Sequence, residues 1–222
     1  MAMPENQTQR RRPGAVLHIF IVALTVGLVA VAAFFLLQSN RPLTRSEAAS
    51  AVAQILQAQG PIMVSFHTGL IQDEVNESAR DPEYRFLERA GIIKVVPEGN
   101  SAAHVSLTVK GSDLLKQIPG VKQSKEPSGR YAYEVPLAEM RLEDVSSIRT
   151  AGARHAVVNF TWRWSPNRLG EIFDASATAM RQISSGERSA LIDFYGARFY
   201  RQAPTSSTVS LVKTADGWEL ER

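Results

Sequence analysis

The chain has 222 residues, of which 21% are charged, and a formal net charge of +3. It contains no cysteine, which excludes disulfides, thiolate metal sites and acylation at a lipoprotein cysteine, so the fold must hold by packing alone. Before position 41 the charged side chains are Glu5, Arg10, Arg11 and Arg12; the remainder carries 22 basic and 21 acidic residues, too even a balance for a surface that reads nucleic-acid phosphates.

Residues 1–14 are polar and contain Pro4 and Pro13, a composition that predicts a cytoplasmic tail whose arginines meet anionic headgroups. Ala15–Leu37 follows, 23 residues without a charge, fifteen of them Val, Leu, Ile or Phe. A helix of that length reaches roughly 35 Å, enough to cross a hydrocarbon core of about 30 Å. The expectation is a single N-terminal transmembrane helix over residues 15–37, acting as a signal anchor. Arginine excess ahead of it favours an inner-membrane protein with its N-terminus in the cytoplasm and the remainder extracytoplasmic (periplasmic). A cleaved signal peptide is the rival reading, but Gln38–Pro42 offers no small-x-small cleavage site. Ala23, Gly27 and Ala30 share one helical face and are candidate helix-packing residues.

Thr44-Arg45-Ser46-Glu47 has the form of a capping box, and Ala48, Ala51, Val52, Ile55 and Leu56 repeat at helical spacing up to Gly60-Pro61. Ile62, Val64 and Phe66 alternate as in a short strand. Residues 72–81 are acidic and polar, most simply a loop. Asp81-Pro82 opens a second helix that stops at Gly91, followed by strands over 92–96 and 103–109 with Pro97–Asn100 between them, and by a short helix at Gly111–Leu115. The succession helix, LERAGIIKVV, turn, VSLTVKGSDLL resembles the recognition helix, wing and closing helix of winged-helix domains, over roughly residues 62–117. That resemblance implies a small α+β module spanning 38–117. DNA binding is not expected of it, because Arg80, Arg85 and Arg89 are matched by Asp81, Glu83 and Glu88.

Residues 118–130 hold two prolines and two glycines without an apolar period and read as a linker, with Lys122, Lys125 and Arg130 as a weaker candidate for an anion-binding run. Residues 131–222 are strand-rich. Tyr131, Tyr133 and Val135 alternate, a strand is expected near 140–149, and the strongest strand is Arg154–Trp164. There Ala156, Val158, Phe160, Trp162 and Trp164 share one face, which assigns the tryptophans to the core, with an aromatic ligand site as the alternative. Leu169–Ile183 is amphipathic. Ser189–Arg201 reads as a strand with apolar residues on both faces, so Tyr195, Phe199 and Arg201 are candidates for a partner or ligand surface. Val209–Lys213 and Trp218–Glu221 form a terminal hairpin. The element order is similar to cystatin-like and NTF2-like folds, which implies a curved antiparallel sheet with a covering helix.

No HExxH, GxSxG, P-loop or GxGxxG pattern occurs, so no catalytic, cofactor-binding or metal residues are assigned. The four histidines, His18, His67, His104 and His155, lack the spacing to ligate one metal from a single element. Ser210-Leu211-Val212-Lys213 matches Ser-x-x-Lys but on a strand. Asp73, Glu74 and Glu77 are a dense carboxylate group, and Asn76 and Asn159 stand in acceptor patterns for glycosylation. The functional expectation is a noncatalytic accessory or scaffolding subunit of a larger membrane complex. Its partners would be other integral membrane proteins and the bilayer, with respiratory and photosynthetic complexes among the types that the letters do not distinguish. The alternatives are an extracytoplasmic module for a lipid or other apolar ligand, and an unfamiliar hydrolase using the carboxylate group.

Overall fold

The computed structural model describes residues 41–72 and 78–221. The expected tail, the transmembrane stretch with Ala23, Gly27 and Ala30, and the Asp73, Glu74, Glu77 group lie outside the described residues. Among the described residues no helix is long and apolar enough to cross a membrane.

Helix α1 (Arg45–Ala58) forms as its capping box directs: Glu47 N donates to Thr44 Oγ1 at 3.3 Å and Thr44 N donates to Glu47 Oε2 at 2.9 Å. Strand β1 (Ile62–Gln72) comes next, then α2 (Pro82–Arg89), β2 (Ile93–Pro97), β3 (Ala102–Leu107) and α3 (Val109–Lys116). The second half contains β4 (Lys122–Lys125), β5 (Tyr131–Ala151), β6 (His155–Pro166), α4 (Arg168–Phe173), α5 (Thr178–Arg181), α6 (Ser185–Phe194), β7 (Thr205–Lys213) and β8 (Trp218–Leu220).

These strands make one eight-stranded antiparallel sheet in the order β2-β3-β1-β5-β6-β7-β8, with β4 also paired to β5. This corrects the expectation of a winged-helix-like module followed by a separate sheet. The local order of helix, hairpin and helix is there, but β3 pairs with β1 and β1 pairs with β5, so the hairpin is one end of the common sheet. Residues 62–68 of β1 pair with β5, and residues 69–72 with β3. The change falls at Gly69, where φ is +106° and a Cβ would stand 3.3 Å from the Arg130 backbone.

Two cores lie along this sheet, and neither respects the expected division of the chain. In the first, Val64, Phe66, Tyr84, Leu87 and Val105 pack with Val135, Leu137, Leu169, Phe173 and Leu191. In the second, Ala48, Val52 and Leu56 of α1 cover Val145, Ala156, Val158, Phe160, Val209 and Leu211 of the carboxy-terminal strands. The first helix therefore belongs to the last part of the sheet. Residues expected as a linker contain β4, and β5 runs through the region drawn as two shorter strands. A further correction concerns Ser189–Arg201, which is the end of α6 and a loop rather than a strand. Ser184 and Glu187 close a capping box on α6, with Glu187 N donating to Ser184 Oγ at 3.2 Å.

Candidate functional site, a groove between the two cores

Strand β6 passes from one core to the other, and its aromatic residues mark the crossing. Ala156, Val158 and Phe160 are buried beneath α1, whereas Trp162 and Trp164 are only half-buried. Trp162 packs against the α1 core and Trp164 against the core under α4–α6. The alternation placed both tryptophans on the correct face; their exposure follows from the space left between α1 and the other helices. Trp162 Nε1 donates to Ser207 Oγ at 3.0 Å, and its ring meets that of Trp164 edge-on at 5.5 Å. Trp164 in turn meets Tyr200 at 6.3 Å.

Three hollows lie along this crossing, each sharing lining residues with the next, and are taken together as one groove. The largest, about 780 Å³, lies between α1 and β5 and is lined by Ala49, Ala53, Leu56, Met140 and Leu142. A second, about 450 Å³, begins at the same Arg141 and Leu142 and continues past Arg163, Trp164 and Arg201. The third, about 230 Å³, shares Arg163, Trp164 and Tyr200 and ends at Ile192, Arg198 and Phe199. The first hollow is lined mainly by apolar side chains, whereas the other two set Trp162, Trp164 and Tyr200 beside Arg163, Arg198 and Arg201. Arg163 pairs with Glu143, and Arg201 with Glu171 at 3.4 Å.

Phe199 is 47% exposed and reaches the groove from the loop after α6. That loop is held by the buried Asp174, whose carboxylate accepts from Ser176 N at 2.7 Å and from Arg201 N at 3.1 Å. Ala175 N donates to Arg198 O at 2.9 Å and completes the clamp. Tyr200 is buried and donates its hydroxyl to Gly196 O, and burial pushes its pKa up. Of the three residues expected at a partner surface, Phe199 and Arg201 are therefore brought together at the groove. Tyr195 is not: it caps α6 and its hydroxyl donates to Glu83 of α2, with burial, then the nearby charges of Glu83 and Asp81, raising its pKa to about 12. The groove's other half, Met140 and Leu142 against α1, was missed. Alternation along the expected 140–149 strand carried the only signal.

A second polar cluster lies near the β4–β5 turn. His67 Nε2 is 3.2 Å from Glu126 Oε1, and Arg130 Nε donates to Glu126 Oε2 at 2.8 Å. The Arg130 side chain, which also lies near in charge, holds the Glu126 carboxyl below its usual range. The expected anion-binding run is dispersed, since Lys122 pairs with Glu134 at 3.2 Å and Lys125 lies over the Tyr131 ring at 5.8 Å. His104 faces Glu98 and His155 faces Glu221, and among the described residues no group of His, Asp or Glu is arranged to hold a metal ion. Ser210 and Lys213 both lie on β7, and the Asn159 side chain is engaged with Ser147 and Thr208 across the sheet.

Comparison with protein-family models, with curated proteins and with solved structures returns no match.

Proposed function

We propose that the protein is an accessory or scaffolding subunit of a larger membrane complex and that it engages its partners through the groove between α1 and the α4–α6 cover. The observation that carries this reading is the run of half-exposed apolar side chains from Met140 and Leu142 through Trp162 and Trp164 to Phe199, on the sheet and the loop after α6, with Arg141, Arg163, Arg198 and Arg201 among the lining residues. Aromatic side chains, methionine and arginine are the residue types enriched at protein interfaces, and Trp, Tyr and Arg at their energetic hot spots. In this reading the uncharged stretch Ala15–Leu37 holds the chain at a bacterial inner membrane, with the folded part on the periplasmic side and integral membrane proteins as partners.

The test is mild-detergent purification of the tagged full-length chain with mass spectrometry of what accompanies it, run beside the double variant Arg141→Glu, Phe199→Asp. A stoichiometric set of membrane proteins that the variant loses is the expected result. A clean wild-type monomer overturns the reading. A second reading, an apolar ligand site, is favoured by the hollow between α1 and β5, whose roughly 780 Å³ lies in the range of small-molecule sites. It requires a copurifying lipid in native mass spectrometry.

A further inference from the structure

The borders of the sheet are guarded unequally. On β2, Val95 N donates to Glu88 Oε1 at 3.0 Å and Pro97 ends the strand. Strand β4 is four exposed residues, two of them lysine, and β8 is three residues long with Glu219 at its centre. Short strands, charges and prolines are the usual means by which an edge is kept from pairing.

Strand β7 differs. Its last residues, Leu211–Lys213, pair with β8, and Glu221 N donates to Ser210 O at 2.9 Å. Upstream, Thr205–Val209 pairs with β6 on one side and, among the described residues, with nothing on the other. The N–H and C=O of one strand residue point to the same side, and successive residues alternate. Since the Ser210 carbonyl faces outward, the open groups upstream belong to Thr208 and Ser206. The segment carries no charge.

We propose that this edge pairs antiparallel with the same edge of a second copy, about a dyad at Ser207. Two outward-facing residues spaced two apart are the complement of themselves under such a dyad. Ser206 opposes the partner's Thr208, and Thr208 opposes the partner's Ser206, so four N–H···O=C bonds close. Ser207 opposes the partner's Ser207 as a pair without backbone hydrogen bonds. Neighbouring registers are poorer. Centring on Ser206 sets Pro204, which has no N–H, against the partner's Thr208; centring on Thr208 needs Ser210, whose carbonyl already serves Glu221. No like charges meet in the chosen register, and Ser–Thr cross-strand pairs are favourable. A second copy is the occupant proposed because, in this one register, it satisfies all four open groups with no like-charge contact, no proline and no group already in use. The inference does not rest on the accessory-subunit reading.

The chain has no cysteine, so Ser207→Cys introduces one thiol. In the dimer the two Cα atoms would stand at about 4.5 Å, within disulfide reach. Ser206→Cys is the control, because the two copies of that position are offset by two residues along the strand, about 7 Å, as well as across it. Mild oxidation of the full-length chain is expected to give a disulfide dimer for Ser207→Cys and monomer for Ser206→Cys. Adding Ser206→Pro to Ser207→Cys removes an outward N–H that the fold does not use, and is expected to abolish the dimer with the melting temperature unchanged. Should proline lower the melting temperature, Ser206→Lys tests the same contact by placing a charge beside the dyad. Monomeric Ser207→Cys, a dimer that survives these changes, or a cross-link to a different protein overturns the proposal.

Discussion

Replacing Gly170 with alanine should reverse the ordinary helix rule. In an open helix interior, alanine is preferred over glycine by about 1 kcal/mol. Gly170, however, lies on the side of α4 pressed against β5, where a Cβ would stand 2.0 Å from the Leu137 carbonyl oxygen and 2.8 Å from its carbon. Real Cβ contacts essentially never fall under 3.0 Å, so α4 must withdraw by about 1 Å. Leu169 and Phe173 on that helix are both fully buried, so the withdrawal disturbs the core. Overpacking of this kind costs about 1–3 kcal/mol. Weakening the Asn167 N to Leu137 O bond, now 2.9 Å, adds about 1 kcal/mol and offsets the gain in helix preference. The net expectation is a loss of about 1–3 kcal/mol, or roughly 2–12 °C in melting temperature for a fold of this size. Gly186, in the first turn of α6, has nothing within 4 Å of its Cβ position, and Gly186→Ala should stabilise by up to about 1 kcal/mol. Thermal unfolding followed by tryptophan fluorescence separates the two. A Gly170→Ala chain as stable as Gly186→Ala refutes the contact between α4 and β5.

Acid should weaken the protein through its helix caps. Hydrogen bonds from the backbone and hydroxyl of Thr44 hold the Glu47 carboxyl below its ordinary 4.5, and those of Ser184 do the same for Glu187. Depressed carboxyls contribute stability that is present above pH 4.5 and lost as pH falls through the folded-state values, so Glu47→Gln with Glu187→Gln should flatten the acid limb of a denaturation series. An unchanged acid limb would remove the caps from this account. Tyr195 runs the opposite way: burial and then Glu83 raise its pKa to about 12, so its contribution is complete below pH 10 and lost as pH rises. Tyr195→Phe takes a donor from the buried Glu83 carboxylate and should cost about 1–3 kcal/mol in urea unfolding; a neutral substitution would show that the contact contributes nothing.

What the sequence disclosed was local. The Thr44–Glu47 box located α1, alternation located β6, and the Asp216-Gly217 turn located the terminal hairpin. Pairing across long separations was hidden, because nothing in Ile62–Thr68 says that it lies beside Tyr131–Ala138. A helix–hairpin–helix order consequently resembled a separate winged module, and Lys122–Lys125, polar at every position, resembled a linker. The misreading of Ser189–Arg201 had a visible remedy. Ser184 and Glu187 form a capping box as clear as the one at Thr44, but Leu191, Ile192, Phe194 and Tyr195 also suit a strand covered on both faces. At the groove, composition named Phe199 and Arg201, while the half-exposure of the tryptophans depended on where α1 stops covering β6.

The claim that the groove is a docking surface is tested most directly by placing a photo-crosslinking amino acid at Phe199 in the full-length chain in its native membrane. Val109 serves as the control, 81% exposed on α3 and absent from the residues that line the groove. The account predicts a discrete adduct with an integral membrane protein from position 199 and none from position 109. No adduct at 199, or equal labelling from both positions, would contradict it.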